Sequence, residues 1–223
     1  MGKKELSKRK NWEKESGGKA AKAEKEFYEA FEKAFEGTVY KLHRKPTHFK
    51  KLYAQVKLPK EVRDTIYNPN IDYKKRKWGV SPDFAIENTV THKILFGEIK
   101  RQDGWVEGKK PSAGRGNAHE RLCKLFSPGL LKAYRTMSGI TDKNVLPFWV
   151  VFKGDITRDP KRVREIRFWF DSFEHNYYMW RPDESYEGIL RHFNEYLKCL
   201  IDKGNKISDA EKIQKMVDEL DKK

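Results

Sequence analysis

The stretch Lys93-Ile94-Leu95-Phe96-Gly97-Glu98-Ile99-Lys100 leaves this chain few ways to fold. In an extended conformation, successive side chains alternate between two faces. Ile94, Phe96, Glu98 and Lys100 share one face; Leu95, Gly97 and Ile99 take the other. Both faces are apolar until a carboxylate and an amine appear at one end. Such a strand calls for structure packed above and below it. Charges at the edge of a core need partners or a metal ion. Just upstream lie Pro82-Asp83, the run Phe84-Ala85-Ile86 and the polar corner Asn88-Thr89. A hairpin through that corner brings Asp83 beside Glu98. Two carboxylates so close repel, and a bound divalent cation relieves the repulsion. The competing reading of Asp83, Glu98 and Lys100 is a salt-bridge cluster on the surface at a strand end.

The rest of the chain supplies the layers. Ala23, Phe27, Phe31, Ala34 and Phe35 recur at helical spacing from Ala20, and Gly37 is a C-terminal stop. Thr38 to Leu42 alternates like a strand. Pro59 opens a short helical segment through Ile66, ended by Asn68-Pro69-Asn70, and a basic cluster fills 73–77. A loop from Arg101 to Arg115 is long enough to suggest function. Helical spacing resumes at Ala118 through Leu122, Leu125 and Phe126, then again from Leu130 to Met137 after Ser127-Pro128-Gly129. Leu146 to Phe152 reads as a buried strand. Asp159-Pro160 reads as a helix cap and first helical residue. Ile166, Phe168 and Phe170 alternate with Arg167 and Trp169, as on a strand. Glu184 to Ile201 is amphipathic, with Ile189, Leu190, Phe193, Leu197, Leu200 and Ile201 on one face. Ser208 and Glu211 form a capping box for a last helix. Strands and helices mix without strict alternation, which indicates an α/β sheet containing a hairpin.

Composition narrows the partners. A formal net charge of +15 over 223 residues suggests a polyanion, against the plainer reading of solvated surface lysines. Two cysteines, Cys123 and Cys199, provide neither a disulfide framework nor a CxxC zinc pair, which fits a reducing cytoplasm. His119 and Cys123 are four apart but lack the further ligands of a structural zinc. No apolar stretch resembles a signal peptide or a membrane span.

The segment Gly114-Arg115-Gly116-Asn117-Ala118-His119-Glu120-Arg121 contains side chains suited to base edges. Arginine pairs bidentately with guanine, asparagine with adenine, and glutamate accepts from amino groups. The glycines allow close approach of the backbone, and a helix beginning near Ala118 aims its positive end outward. The plainer reading is a polar helix start with Asn117 as its cap. A P-loop is ruled out because no Gly-Lys-Ser/Thr follows.

Pro82-Asp83 with Glu98-Ile99-Lys100 resembles the PD-(D/E)xK nucleases, and Gly116 to Arg121 resembles the segment shared within their EcoRI-like branch of type II restriction endonucleases. Two other matches to parts of the pattern are decoys: Glu107-Gly108-Lys109 lies in a glycine-rich loop, and Pro182-Asp183 has no later Glu-x-Lys. The resemblance implies a restriction-endonuclease-like fold, with a central mixed five-stranded sheet flanked by helices. It implies a homodimer that needs Mg²⁺ and cuts double-stranded DNA at CAATTG after the first C, leaving 5′-AATT overhangs. Asp83 and Glu98 would ligate the metal with the Ile99 carbonyl, and Lys100 would orient or activate water or stabilise transition-state charge. Asn117, Glu120, Arg121 and the Ala118 backbone would read the inner AATT beside Gly116, and Arg115 the outer C·G pair. A companion DNA methyltransferase, without a stable complex, and a prokaryotic cytoplasm follow from the same likeness. Three segments are expected: a mobile basic arm at 1–18, one endonuclease domain at 19–202, and a helical extension at 203–223. The competing functions are a structure-selective or repair nuclease on the same fold and a non-catalytic DNA-binding module.

Overall fold

The computed structural model describes residues 21–68, 71–72, 75–102 and 118–203, with the side chains of 118–121 excepted. Helix α1 spans 21–35. Its stripe of Ala23, Phe27 and Phe31 is fully buried, so the helical spacing seen in the sequence is a packing face. Gly37 follows with φ of 69°, the left-handed conformation that ends a helix cheaply only at glycine.

Five strands form one sheet in the order β1 (Tyr40–Arg44), β2 (Phe84–Asn88), β3 (Ile94–Arg101), β4 (Phe148–Lys153), β5 (Tyr177–Trp180). The β1–β2 and β2–β3 pairs are antiparallel; β3–β4 and β4–β5 are parallel. This is the mixed sheet expected. The β2–β3 connection is the hairpin through Asn88. Its side chain accepts from the amides of Val90 and Thr91, a local closure that asparagine makes readily.

Helices cover both faces. On one side, α1, α6 (Tyr186–His192) and α7 (Lys198–Asp202) enclose Phe84, Ile86, Leu95, Ile99, Trp149 and Val151. On the other, α3 (Ala118–Leu125), α4 (Pro128–Ser138) and α5 (Pro160–Phe170) enclose Ala85, Phe96, Phe148, Val150 and Phe152. Both faces of β3 and β4 are therefore buried. A single turn, α2 (Lys60–Arg63), lies outside these layers with every residue exposed.

Some expectations shift. Thr38 is not yet strand; its hydroxyl donates to the Phe35 carbonyl and closes the turn after α1, so β1 begins at Tyr40. The predicted strand at Ile166–Phe170 is the second half of α5. Asp159 caps that helix by accepting from the amides of Lys161 and Arg162, and Pro160 occupies the first turn. Ile166 and Phe170, four apart, are buried, whereas Phe168 is 82% exposed. The predicted Glu184–Ile201 helix starts at Tyr186, after the cap Ser185, and passes through a π-turn at Phe193–Leu197 between α6 and α7. Ile189, Phe193, Leu197 and Ile201 all face the core. Strand β5 had no expectation attached to it. The basic arm at 1–18, the 101–115 loop after Gln102 and the extension after Lys203 lie outside the described residues.

Candidate active site

The site is built where β2 begins and β3 ends. Phe84 pairs with Gly97, so one step further out Asp83 lies alongside Glu98. Gly97 makes this close approach possible. A Cβ there would sit 2.0 Å from Cζ of Phe84, a ring held by Phe27 at 4.4 Å and Trp149 at 5.8 Å between centroids.

Asp83 is fixed through four hydrogen bonds. Its amide donates to the Gly97 carbonyl at 3.0 Å, and its own carbonyl accepts from the Lys45 amide at 2.9 Å and the Tyr28 hydroxyl at 2.7 Å. Its carboxylate Oδ2 accepts from the Ile99 amide at 2.7 Å. Helix α1 thus reaches the site through Tyr28, whose ring also lies under the Arg44 guanidinium, 4.7 Å from the centroid. Burial first, then the carboxylates of Glu24 and Asp83, push the Tyr28 ionisation above the ordinary tyrosine value, which keeps the hydroxyl a donor.

Glu98 and Lys100 project from the same face of β3. The Lys100 ammonium donates to Oε2 of Glu98 and lies 3.7 Å from Oδ2 of Asp83. The side chains of Lys100, Glu98 and Asp83 are only 6%, 11% and 17% exposed. The surface salt-bridge reading of these residues is therefore set aside. Burying ion pairs this deeply carries a desolvation cost that apolar residues would not incur. The cluster is not an economical way to stabilise a fold, and that argues for a chemical use.

Two carboxylates beside a single ammonium make a hard, oxygen-rich donor set that suits a divalent cation such as Mg²⁺. Among the described residues, no three His, Cys, Asp or Glu side chains converge, so any such ion would draw on backbone oxygen, water or substrate as well. The exposed Cys123 has no zinc cluster around it among those residues.

Beside Glu98 lies a cavity of about 310 Å³, lined also by Val80, Ser81, Lys124, Leu125 and Tyr134. It joins Glu98 to α3 and α4. Helix α3 begins at Ala118, as the spacing predicted, and buries Leu122 and Leu125. Glu120 and Arg121 lie in its first turn; their side chains, and all of Arg115, Gly116 and Asn117, fall outside the described residues. Of the basic cluster at 73–77, Lys75, Arg76 and Lys77 are exposed.

A family model for the type II restriction enzyme MunI matches residues 1–202. The chain belongs to the MunI family of type II restriction enzymes. A curated type II restriction enzyme MunI from Mycoplasma sp is 67% identical over 202 residues, covering 91% of this chain and all of the relative. The crystal structure of MunI restriction endonuclease in complex with cognate DNA matches with a TM-score of 0.73 and 66% identity, over 86% of this chain and 97% of that one. As a member of the MunI family, the chain is a DNA-binding site-specific deoxyribonuclease, and the repair-nuclease and non-catalytic alternatives fall away. Residues 203–223 extend beyond the family match. No helix among the described residues is long and apolar enough to cross a membrane.

Sequence reasoning missed Tyr28, Gly97 and Tyr134 as parts of this neighbourhood. Tyr28 follows Phe27, just off the apolar stripe of α1; an aromatic ring with a polar tip at the edge of a buried stripe was the available signal.

Proposed function

We propose that this enzyme uses Asp83, Glu98 and Lys100 to hydrolyse both strands of CAATTG in a Mg²⁺-dependent reaction, cutting after the first C. The buried Asp83–Lys100–Glu98 cluster, anchored to the Ile99 amide, carries the reading. Asp83 and Glu98 hold the ion with the Ile99 carbonyl. The direction of the Ile99 amide supports the third ligand, because the amide and carbonyl of a strand residue face the same neighbour. When bound, the ion polarises the scissile phosphate and offsets developing negative charge. Lys100 orients the attacking water and donates to the charged oxygens of the transition state. The water oxygen bonds to phosphorus and releases a proton to solvent, the bond to the 3′-oxygen breaks, and that oxygen takes a proton from solvent. The products carry 5′-phosphate and 3′-hydroxyl ends.

Arg115 reads the outer C·G pair; Asn117, Glu120, Arg121 and the Ala118 backbone read the inner AATT, with Gly116 allowing close approach. A palindromic target fits a two-fold homodimer. Support for association comes from the exposed apolar side chains of Tyr53, Val56, Val62, Ile66 and Trp78. A hollow of about 550 Å³ beside α3, lined by Leu52, Tyr53, Val56, Cys123 and Leu130, lies in the same region. The enzyme works in a prokaryotic cytoplasm, where a companion methyltransferase protects host sites without forming a stable complex with it. The test is to sequence the ends produced from plasmid DNA in Mg²⁺. Breaks confined to CAATTG with AATT overhangs are expected; ends scattered over unrelated sequences would refute the assignment.

A further inference from the structure

Tyr134 lies in α4 with its ring walled in by Phe49, Phe96 and Phe148, at centroid distances of 4.6, 5.7 and 5.7 Å. The residue is 1% exposed. Nothing in this aromatic setting requires a hydroxyl. Yet the Tyr134 oxygen is buried and has no hydrogen-bond partner among the described residues. A buried hydroxyl without a partner is a net cost to a fold, and phenylalanine would avoid it. The same residue lines the cavity of about 310 Å³ that Glu98 also lines. Its walls are mixed, with Ser81, Glu98 and Lys124 beside Val80, Leu125 and Leu130, and a space of that size holds water that can bridge its polar groups. Burial first, then the charge of Glu98, then that of Asp83, push the Tyr134 ionisation above its ordinary value. The hydroxyl therefore keeps its proton and feels both carboxylates.

We propose that Tyr134 is a positioning residue for Glu98: through water in the cavity its hydroxyl donates to the carboxylate and fixes it for the metal ion. Lys100 already draws Oε2 of Glu98 towards itself. A second donor, reached from the α4 side, keeps the carboxylate from collapsing onto that ammonium. Outer tethers of this kind are what hold metal-ligating carboxylates in orientation.

The inference rests on the reading of Glu98 as a metal ligand, so Glu98→Ala is measured beside Tyr134→Phe. Three quantities are followed: urea unfolding without metal, Ca²⁺ binding to the enzyme on a CAATTG duplex by calorimetry, and the Mg²⁺ concentration for half-maximal cutting. Tyr134→Phe should stay close to the parent in stability, because the ring packing is kept and only a water-mediated contact is lost. Its Ca²⁺ affinity should fall roughly tenfold, with the Mg²⁺ requirement rising in step and the rate largely restored at saturating Mg²⁺. Unchanged Ca²⁺ affinity and Mg²⁺ requirement in Tyr134→Phe, while Glu98→Ala is inactive, would overturn this inference alone. So would loss of the fold in Tyr134→Phe, because the hydroxyl would then be structural. Normal cutting by Glu98→Ala would instead bring down the catalytic reading together with it.

Discussion

On one face of β3, Leu95 and Ile99 meet Phe27, Phe31, Phe84 and Trp149 in an aromatic core. On the other face, Ile94 and Phe96 give way to Glu98 and Lys100, and the packing opens into a cavity. Both faces are buried, and they belong to the same eight residues. The difference teaches how this fold separates holding from acting. The aromatic face gains from every buried ring and leaves little polar surface to satisfy, the Trp149 indole N–H being the exception. The charged face carries a desolvation cost that only a substrate or an ion can turn to use. Gly97 and Tyr28 connect them: each reaches from the aromatic side to set the position of Asp83.

Breaking the aromatic face should give the largest change in stability. Phe27→Ala removes a fully buried ring stacked on Phe31 and should cost about 3–5 kcal/mol in urea unfolding. The protein that remains folded should keep its site preference. Loss of preference without loss of stability would contradict the division of labour. Gly97→Ala attacks the join. Its added methyl must displace the packed Phe84 ring, an overpacking cost of about 1–3 kcal/mol. Because Phe84 is the neighbour of Asp83, cleavage should fall along with stability; a variant with parental melting and cutting would argue against the join.

Sharpening the comparison on the side of function concerns specificity. Arg115→Ala should lose about 1–3 kcal/mol of discrimination at the outer C·G pair, with the inner AATT preference kept. Arg115→Lys should rescue it incompletely, because lysine lacks the planar fork. Cleavage rates on sites varied at each position are the check, and uniform weakening on all of them would mean a phosphate contact instead. The smallest effect belongs to Tyr28→Phe, which removes one hydrogen bond to the Asp83 carbonyl. It should cost about 1 kcal/mol in stability and lower the cutting rate modestly. A rate indistinguishable from the parent would show that the Lys45 amide suffices.

Much of this organisation was legible because β3 is unusual in its own sequence. Apolar residues on both faces require two covering layers, and a carboxylate and an amine on one face mark where the covering stops. The short Asn88 corner made the approach of Asp83 readable as well. Other parts were hidden for physical reasons. Ile166, Phe168 and Phe170 alternate as on a strand, but the Asp159 cap and Pro160 start a helix whose four-residue spacing buries the first and last. Strand β5 is four residues, Tyr177–Trp180, formed by pairing with β4 and not by any local pattern. Tyr134 sits in an amphipathic stripe, where a tyrosine reads as core; only its buried, unpartnered oxygen singles it out. The likeness of Gly116 to Arg121 to a base-reading segment rests on residue types that a polar helix start shares, so spacing alone left both readings standing.

The central claim is that the charged end of β3, with Asp83, is the hydrolytic centre. Its most direct test is the rate at which purified Asp83→Ala and Glu98→Ala cut a CAATTG duplex in Mg²⁺, measured with unfolding and duplex binding on the same preparations. Cutting should be abolished in both variants while folding and binding stay largely intact. Normal cutting by either variant would contradict the assignment.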